Sequence, residues 1–236
     1  MTTRCFDYYL SWKKYCKDKI PNIIIDNAIN VMKDINKVKH TSGENEGNYI
    51  IIRGLNKKSL IAASIYYASK KTNYPLTTIE TAKLFEINQK DLTKGEKIFD
   101  NLLPNSLKKN TIYISKNEIT LYVTKYCNFF KLEKKYKKKA LEIANNLIKI
   151  EQSIVKGNSS LQAVAIIYLI NVHYNLDIEK KEIKNCIDIY SDTILNKIYK
   201  NILMYEKLLC NNEYTEQWIK TNNLIRNRLI IEHKYE

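Results

Sequence analysis

The side chains able to do chemistry in this sequence are mostly lysines, and their placement suits phosphate binding more than bond making. Arg53, Lys57 and Lys58 surround Gly54, and Lys156, Ser159 and Ser160 surround Gly157, each set just ahead of a strongly apolar run. At a helix start, such cations add to the unpaired N–H groups that helix N-termini offer to anions. Lys94 and Lys97 return 103 residues later as Lys197 and Lys200. Thr193 and Asn196 share one helical face with that second pair, opposite Ile194, Ile198 and Ile202, with Ser191 or Asp192 as cap. A polar, basic face beginning at a helix N-terminus suits a helix that lies against a nucleic-acid groove.

Other chemistries lack their residues. The five cysteines, Cys5, Cys16, Cys127, Cys186 and Cys210, form no CxxC pair, and His40, His173 and His233 stand far apart. No metal site, disulfide framework or cofactor is expected. No nucleophile–base set, carboxylate dyad or phosphate-cradling glycine loop can be assembled, so an enzyme is not expected. The longest apolar stretches fall short of the roughly 18 residues that cross a bilayer, and no membrane partner is expected.

The formal charge of +14 over 236 residues points to a polyanionic partner, with solubility alone as the plainer alternative. Only Arg4, Arg53, Arg226 and Arg228 are arginines. Lysine meets phosphate as a point charge, whereas arginine forks onto guanine, so affinity is expected from phosphates more than from base reading. The run Lys131–Lys139 looks like a further patch, but Tyr136 and Ala140 within it belong to an apolar stripe, which leaves several of its lysines simply solvated.

The elements that must position these residues are helices. Ile24, Ala28, Val31, Ile35 and Val38 recur at steps of 4 and 3, and Pro21 fits the first turn. The same stripe returns 112 residues on as Tyr136, Ala140, Ile143, Leu147 and Ile150, reaching Ile154. Each stripe is followed by a glycine and a nearly all-apolar helix, Leu60–Ala68 and then Ala163–Ile170, which must be buried. The second spacing is about ten residues shorter, which marks Thr41–Ile50 as an inserted surface loop or interaction arm. Shorter helices follow over Thr77–Glu86 and Gln89–Leu103, and again over Glu179–Asp188 and Thr193–Leu209. Cys5–Lys17 and Asn117–Leu132 precede the two stripes.

The expected fold is therefore all-α, with two tandem five-helix repeats and a C-terminal helical tail. The first repeat spans 1–104, a linker 105–116, the second repeat 117–209, and the tail 210–236, whose Trp218, Ile225 and Leu229 lie at core-docking spacing.

Several motifs carry a resemblance in this order. Pro21–Lys33 has a Pro-x-x-Ile-x-Asp opening, Arg53–Lys57 an Arg-Gly-x-Asn turn, and Thr72–Phe99 follows without a gap. Lys156–Ser160 looks like a Gly-Arg-Ser-Pro turn, Lys180–Ile183 like a Lys-Glu-Ile helix, and Thr193–Leu203 like a last helix. Over residues 5–209 the chain resembles the two cyclin-like repeats of the transcription initiation factor IIB family. The resemblance implies a protein that binds double-stranded promoter DNA with TATA-binding protein, its second-repeat helix-turn-helix in the major groove. It also implies that Lys94 and Lys97 face an acidic surface of TATA-binding protein or nearby DNA.

The family reads DNA with an arginine where this chain has Asn196 or Leu195, so the bidentate arginine contact to guanine is missing, and an asparagine there is expected to pair with adenine or contact a phosphate instead. No counterpart of the family's N-terminal zinc ribbon precedes Cys5, so any RNA polymerase contact is expected elsewhere, in the Thr41–Ile50 arm or the tail. The expected location is the nucleus, or a cytoplasmic transcription site if the protein is viral. Because the same repeat builds cyclins, the alternative is a regulatory subunit that binds and activates a protein kinase.

Overall fold

The computed structural model describes residues 12, 15, 16, 18–104, 118–150, 157–186 and 192–221. The all-helical expectation holds: among the described residues the only extended pairing is one isolated antiparallel bridge, Lys39 with Tyr49. The chain divides into two compact units, Met1–Ser115 and Lys116–Glu236, each with its own apolar core.

In the first unit, α1 (Asn22–Ile35) buries Ile24, Ile25, Ala28, Val31, Met32 and Ile35, with Pro21 at its N-cap. The stripe expected to reach Val38 ends three residues sooner. Asn36 and Lys37 turn the chain, and Val38 accepts a hydrogen bond from Ile50 N–H at 3.0 Å. His40 and Asn48 pair next, and Gly43 (φ 84°) and Gly47 (φ 78°) take left-handed turns at the tip. Thr41–Ile50 is thus an exposed arm closed at its base by backbone pairing.

The central helix, α2 (Gly54–Lys71), buries Leu60, Ala62, Ala63, Ile65 and Ala68 and packs against α1, α3 (Thr78–Leu84) and α4 (Gln89–Leu102). Thr77 and Glu80 form a reciprocal capping box that starts α3, and Asn88 caps α4 by accepting from Asp91 N–H at 2.8 Å. Trp12 and Cys16 are fully inside this core. The apolar residues on which the first helix was inferred, Phe6, Tyr9 and Leu10, lie outside the described residues.

In the second unit, α5 (Glu118–Phe129) and α6 (Lys134–Lys149) pack on the central α7 (Ser159–Tyr174), which also meets α8 (Lys180–Asn185) and α9 (Asp192–Met204). The helix expected to run unbroken to Leu209 stops at Tyr205 (φ −107°, ψ 12°), and the short α10 (Glu206–Leu209) follows it. A last helix, α11, covers 212–221; Trp218 and Ile219 pack on the core, and Thr215 is fully buried. Ile154, Ile225 and Leu229 lie outside the described residues.

The two units repeat fine detail at the offset seen in the central helices. Asn73 (φ 57°) and Asn175 (φ 48°), 102 residues apart, both end the central helix in the left-handed region that asparagine tolerates. Just beyond them, Tyr74 N–H reaches the Ser69 carbonyl at 2.9 Å, and Leu176 N–H reaches the Asn171 carbonyl at 3.0 Å. The side chains of Ser69 and Asn171 then accept from Leu76 and Ile178 N–H, again 102 residues apart.

Candidate nucleic-acid interface

At the start of α2, Arg53 occupies the N-cap in an extended conformation (φ −128°, ψ 167°), with its side chain exposed, and Gly54 follows at φ 56°. That positive φ is the reason for a glycine in this turn. The first turn of α2 has no acidic residue, so its N–H groups and Arg53 both favour an anion at this helix start. Lys57 is half-buried, and this partial burial lowers its pKa. The Lys58 ammonium sits 4.9 Å from the centre of the Tyr15 ring, a cation–π contact that orients it.

The corresponding turn before α7 differs. Asn158 caps the helix by accepting from Leu161 N–H at 2.9 Å. Ser159 donates to a carboxylate oxygen of Glu118 at 3.3 Å, so this helix start already has an anion from its own fold. Ser160 is only 8% exposed and shares a 2.6 Å hydrogen bond with the Tyr126 hydroxyl. Its side chain is a buried structural group, which corrects the expectation of a side-chain contact to phosphate there. Lys156 lies outside the described residues.

On α9, Thr193, Lys197 and Lys200 are exposed, and Asn196 is half-buried. The inward face differs from the expected one: Leu195 is 1% exposed and packs with Ile198 and Ile202, whereas Ile194 is 47% exposed. Leu195 therefore belongs to the core, and the polar Asn196 beside it is half-buried. A signal for this existed in the sequence. The 103-residue offset that pairs Lys94 with Lys197 also carries Leu92 onto Leu195 and Phe99 onto Ile202, and all four of these apolar residues are buried. On α4, Lys94 and Lys97 are exposed, as are Lys197 and Lys200 on α9.

Sequence reasoning missed Lys180. Its ammonium donates to Asn196 Oδ1 at 2.7 Å and lies 5.9 Å from the centre of the Tyr168 ring, which itself packs edge-on against Tyr199. Within the run Lys131–Lys139, Lys134, Lys135 and Lys138 are exposed. Lys137 binds Asn128 at 2.9 Å, and Lys139 binds Glu142 at 3.0 Å and the Cys210 carbonyl at 2.8 Å. The titratable groups gather in no metal-binding set of three or more among the described residues, and no helix there is long and apolar enough to cross a membrane.

Two helical units, each with a short helix followed by a longer one that exposes two lysines at equivalent positions, define an all-α, basic class of protein. Within that class the sequence has relatives. It is 35% identical over 205 residues to a putative transcription initiation factor IIB-like protein of Acanthamoeba polyphaga mimivirus, covering 86% of this chain and 44% of the viral one. It is 30% identical over 152 residues to transcription initiation factor IIB 2 of both Thermoplasma acidophilum and Thermoplasma volcanium, covering 64% of this chain. The chain spans less than half the length of each of these relatives. No family model matches it. By this similarity the chain is a member of the transcription initiation factor IIB family.

Proposed function

We propose that the chain acts in transcription initiation by binding double-stranded promoter DNA together with TATA-binding protein, as a binding component with no catalytic step of its own. The observation that carries this reading is the recurrence of an exposed lysine pair, Lys94/Lys97 and Lys197/Lys200, on helices whose buried faces match at the same 103-residue offset. A positive face kept in register on two units, in a chain of charge +14, fits a partner with charges spaced along a rod. Thr193, Asn196, Lys197 and Lys200 form the duplex-facing edge of α9. Arg53, with Lys57 and Lys58 behind it, provides the second phosphate contact, and Lys94 and Lys97 meet TATA-binding protein or adjoining DNA.

The exposed Thr41–Ile50 arm is the candidate surface for a contact with RNA polymerase. Function is exercised where promoters are transcribed, in the nucleus or at a viral transcription site. A mobility-shift titration of promoter duplex with TATA-binding protein tests the assignment. Replacing Lys197→Glu and Lys200→Glu together reverses two charges beside phosphate, and affinity should fall by at least tenfold. Unchanged retardation by the double variant would remove α9 from the interface.

A further inference from the structure

We infer that Lys180 is a positioning residue that holds the Asn196 amide so that α9 offers a hydrogen-bond donor, and not an acceptor, to the duplex. The inference rests on the DNA-binding reading of α9. An ammonium has three donors and no acceptor, so the atom that meets Lys180 Nζ at 2.7 Å has to be the asparagine oxygen. This fixes which way the amide is turned, with Oδ1 toward Lys180 and Nδ2 as the donor end of the group. Asn196 is half-buried on α9 between the exposed Thr193 and Lys197.

Lys180 is itself constrained. It begins α8, and its ammonium lies 5.9 Å from the centre of the Tyr168 ring, which packs edge-on against Tyr199. A charged donor on Oδ1 also polarises the amide and strengthens Nδ2–H as a donor. The complement of such a group is an acceptor of the nucleic acid: purine N7, guanine O6 or thymine O4 on a base edge, or a phosphate oxygen. A cytosine N4 amino group facing Nδ2 would set donor against donor and be rejected. Asn196 thus gives α9 a reading element without arginine, and the selectivity depends on a residue of the preceding helix that need not touch DNA.

The test uses the full chain, TATA-binding protein and promoter duplex in a mobility shift, comparing wild type with Lys180→Met, which keeps the stem and removes the donor. Lys181→Met, an equal charge loss at an exposed position of the same helix, is the control. Lys180→Met should weaken binding about five- to tenfold beyond the control, the effect of one oriented hydrogen bond. In the Asn196→Ala background the same change should cost no more than the control. Duplexes carrying 7-deazapurines or single methylphosphonates then show whether the acceptor is a base edge or a phosphate, because the wild-type advantage over Lys180→Met vanishes when the true acceptor is removed. If wild type retards no duplex, both the DNA-binding reading and this inference fall. If wild type binds and Lys180→Met behaves like Lys181→Met, the inference falls alone.

Discussion

At the scale of single residues, the lysines divide by what their ammonium groups already touch. Lys139 holds the carbonyl that ends α10, a favourable place for a cation at a helix C-terminus, and Lys137 is tied to Asn128. The buried Asn146 assists from α6 by donating to the Leu209 carbonyl and to Asn212 Oδ1, each at 2.9 Å. Those groups secure the chain's own C-terminal helices. Cys16 and Cys127 are equally committed to the interior. Burial pushes the Cys16 thiol up to about 12 and the Cys127 thiol up to about 11, against 9.0 for a free thiol. A raised thiol pKa means that the unfolded chain ionises first as pH increases. The stability linked to these two groups is therefore whole below pH 9.0 and is lost between there and about 11 to 12. Thiol-specific reagents near pH 8 should label both cysteines only at the rate of unfolding, checked by mass spectrometry against urea-treated protein. Labelling that outruns unfolding would contradict their burial.

At the scale of elements, the packing of α2 on α4 depends on one missing side chain. A Cβ on Gly95 would lie 2.2 Å from the backbone oxygen of Ser59, so the two helices touch backbone to side with no space for a methyl group. Alanine would gain about 1 kcal/mol in helix propensity, but this cannot offset overpacking against a carbonyl that no rotamer change relieves. Gly95→Ala should lower stability by about 2 kcal/mol, read as a lower urea midpoint, and an equal or higher midpoint would contradict the contact. The existence and type of the long helices were legible in the sequence because their stripes are regular: Ile24, Ala28, Val31 and Ile35 are all buried at the spacing that announced them. The register of α9 was less so. Its run Thr-Ile-Leu-Asn has two adjacent apolar residues, and periodicity alone does not decide which of Ile194 and Leu195 turns inward. Nothing local in the sequence reveals Tyr126, 34 residues earlier, as the partner of the Ser160 hydroxyl. The same reason hid Lys180 from view, since its contact with Asn196 is made by the tertiary packing of α8 on α9.

At the scale of the molecule, the excess of 39 lysines and arginines over 25 acidic residues is what the account explains, and it makes a quantitative demand. On the proposed reading Arg53, Lys57, Lys58, Lys197 and Lys200 are the groups for phosphate, with Lys94 and Lys97 directed to the partner or flanking DNA. Neutralising about five phosphates releases their condensed counterions, and log affinity should then fall against log salt with a slope of about −4 to −5. The most direct measurement is the affinity for a promoter duplex in the presence of TATA-binding protein, followed from about 50 to 200 mM salt. A slope in that range is the predicted result. An affinity that stays flat across the titration would contradict the claim that these lysine faces are built for a nucleic-acid backbone.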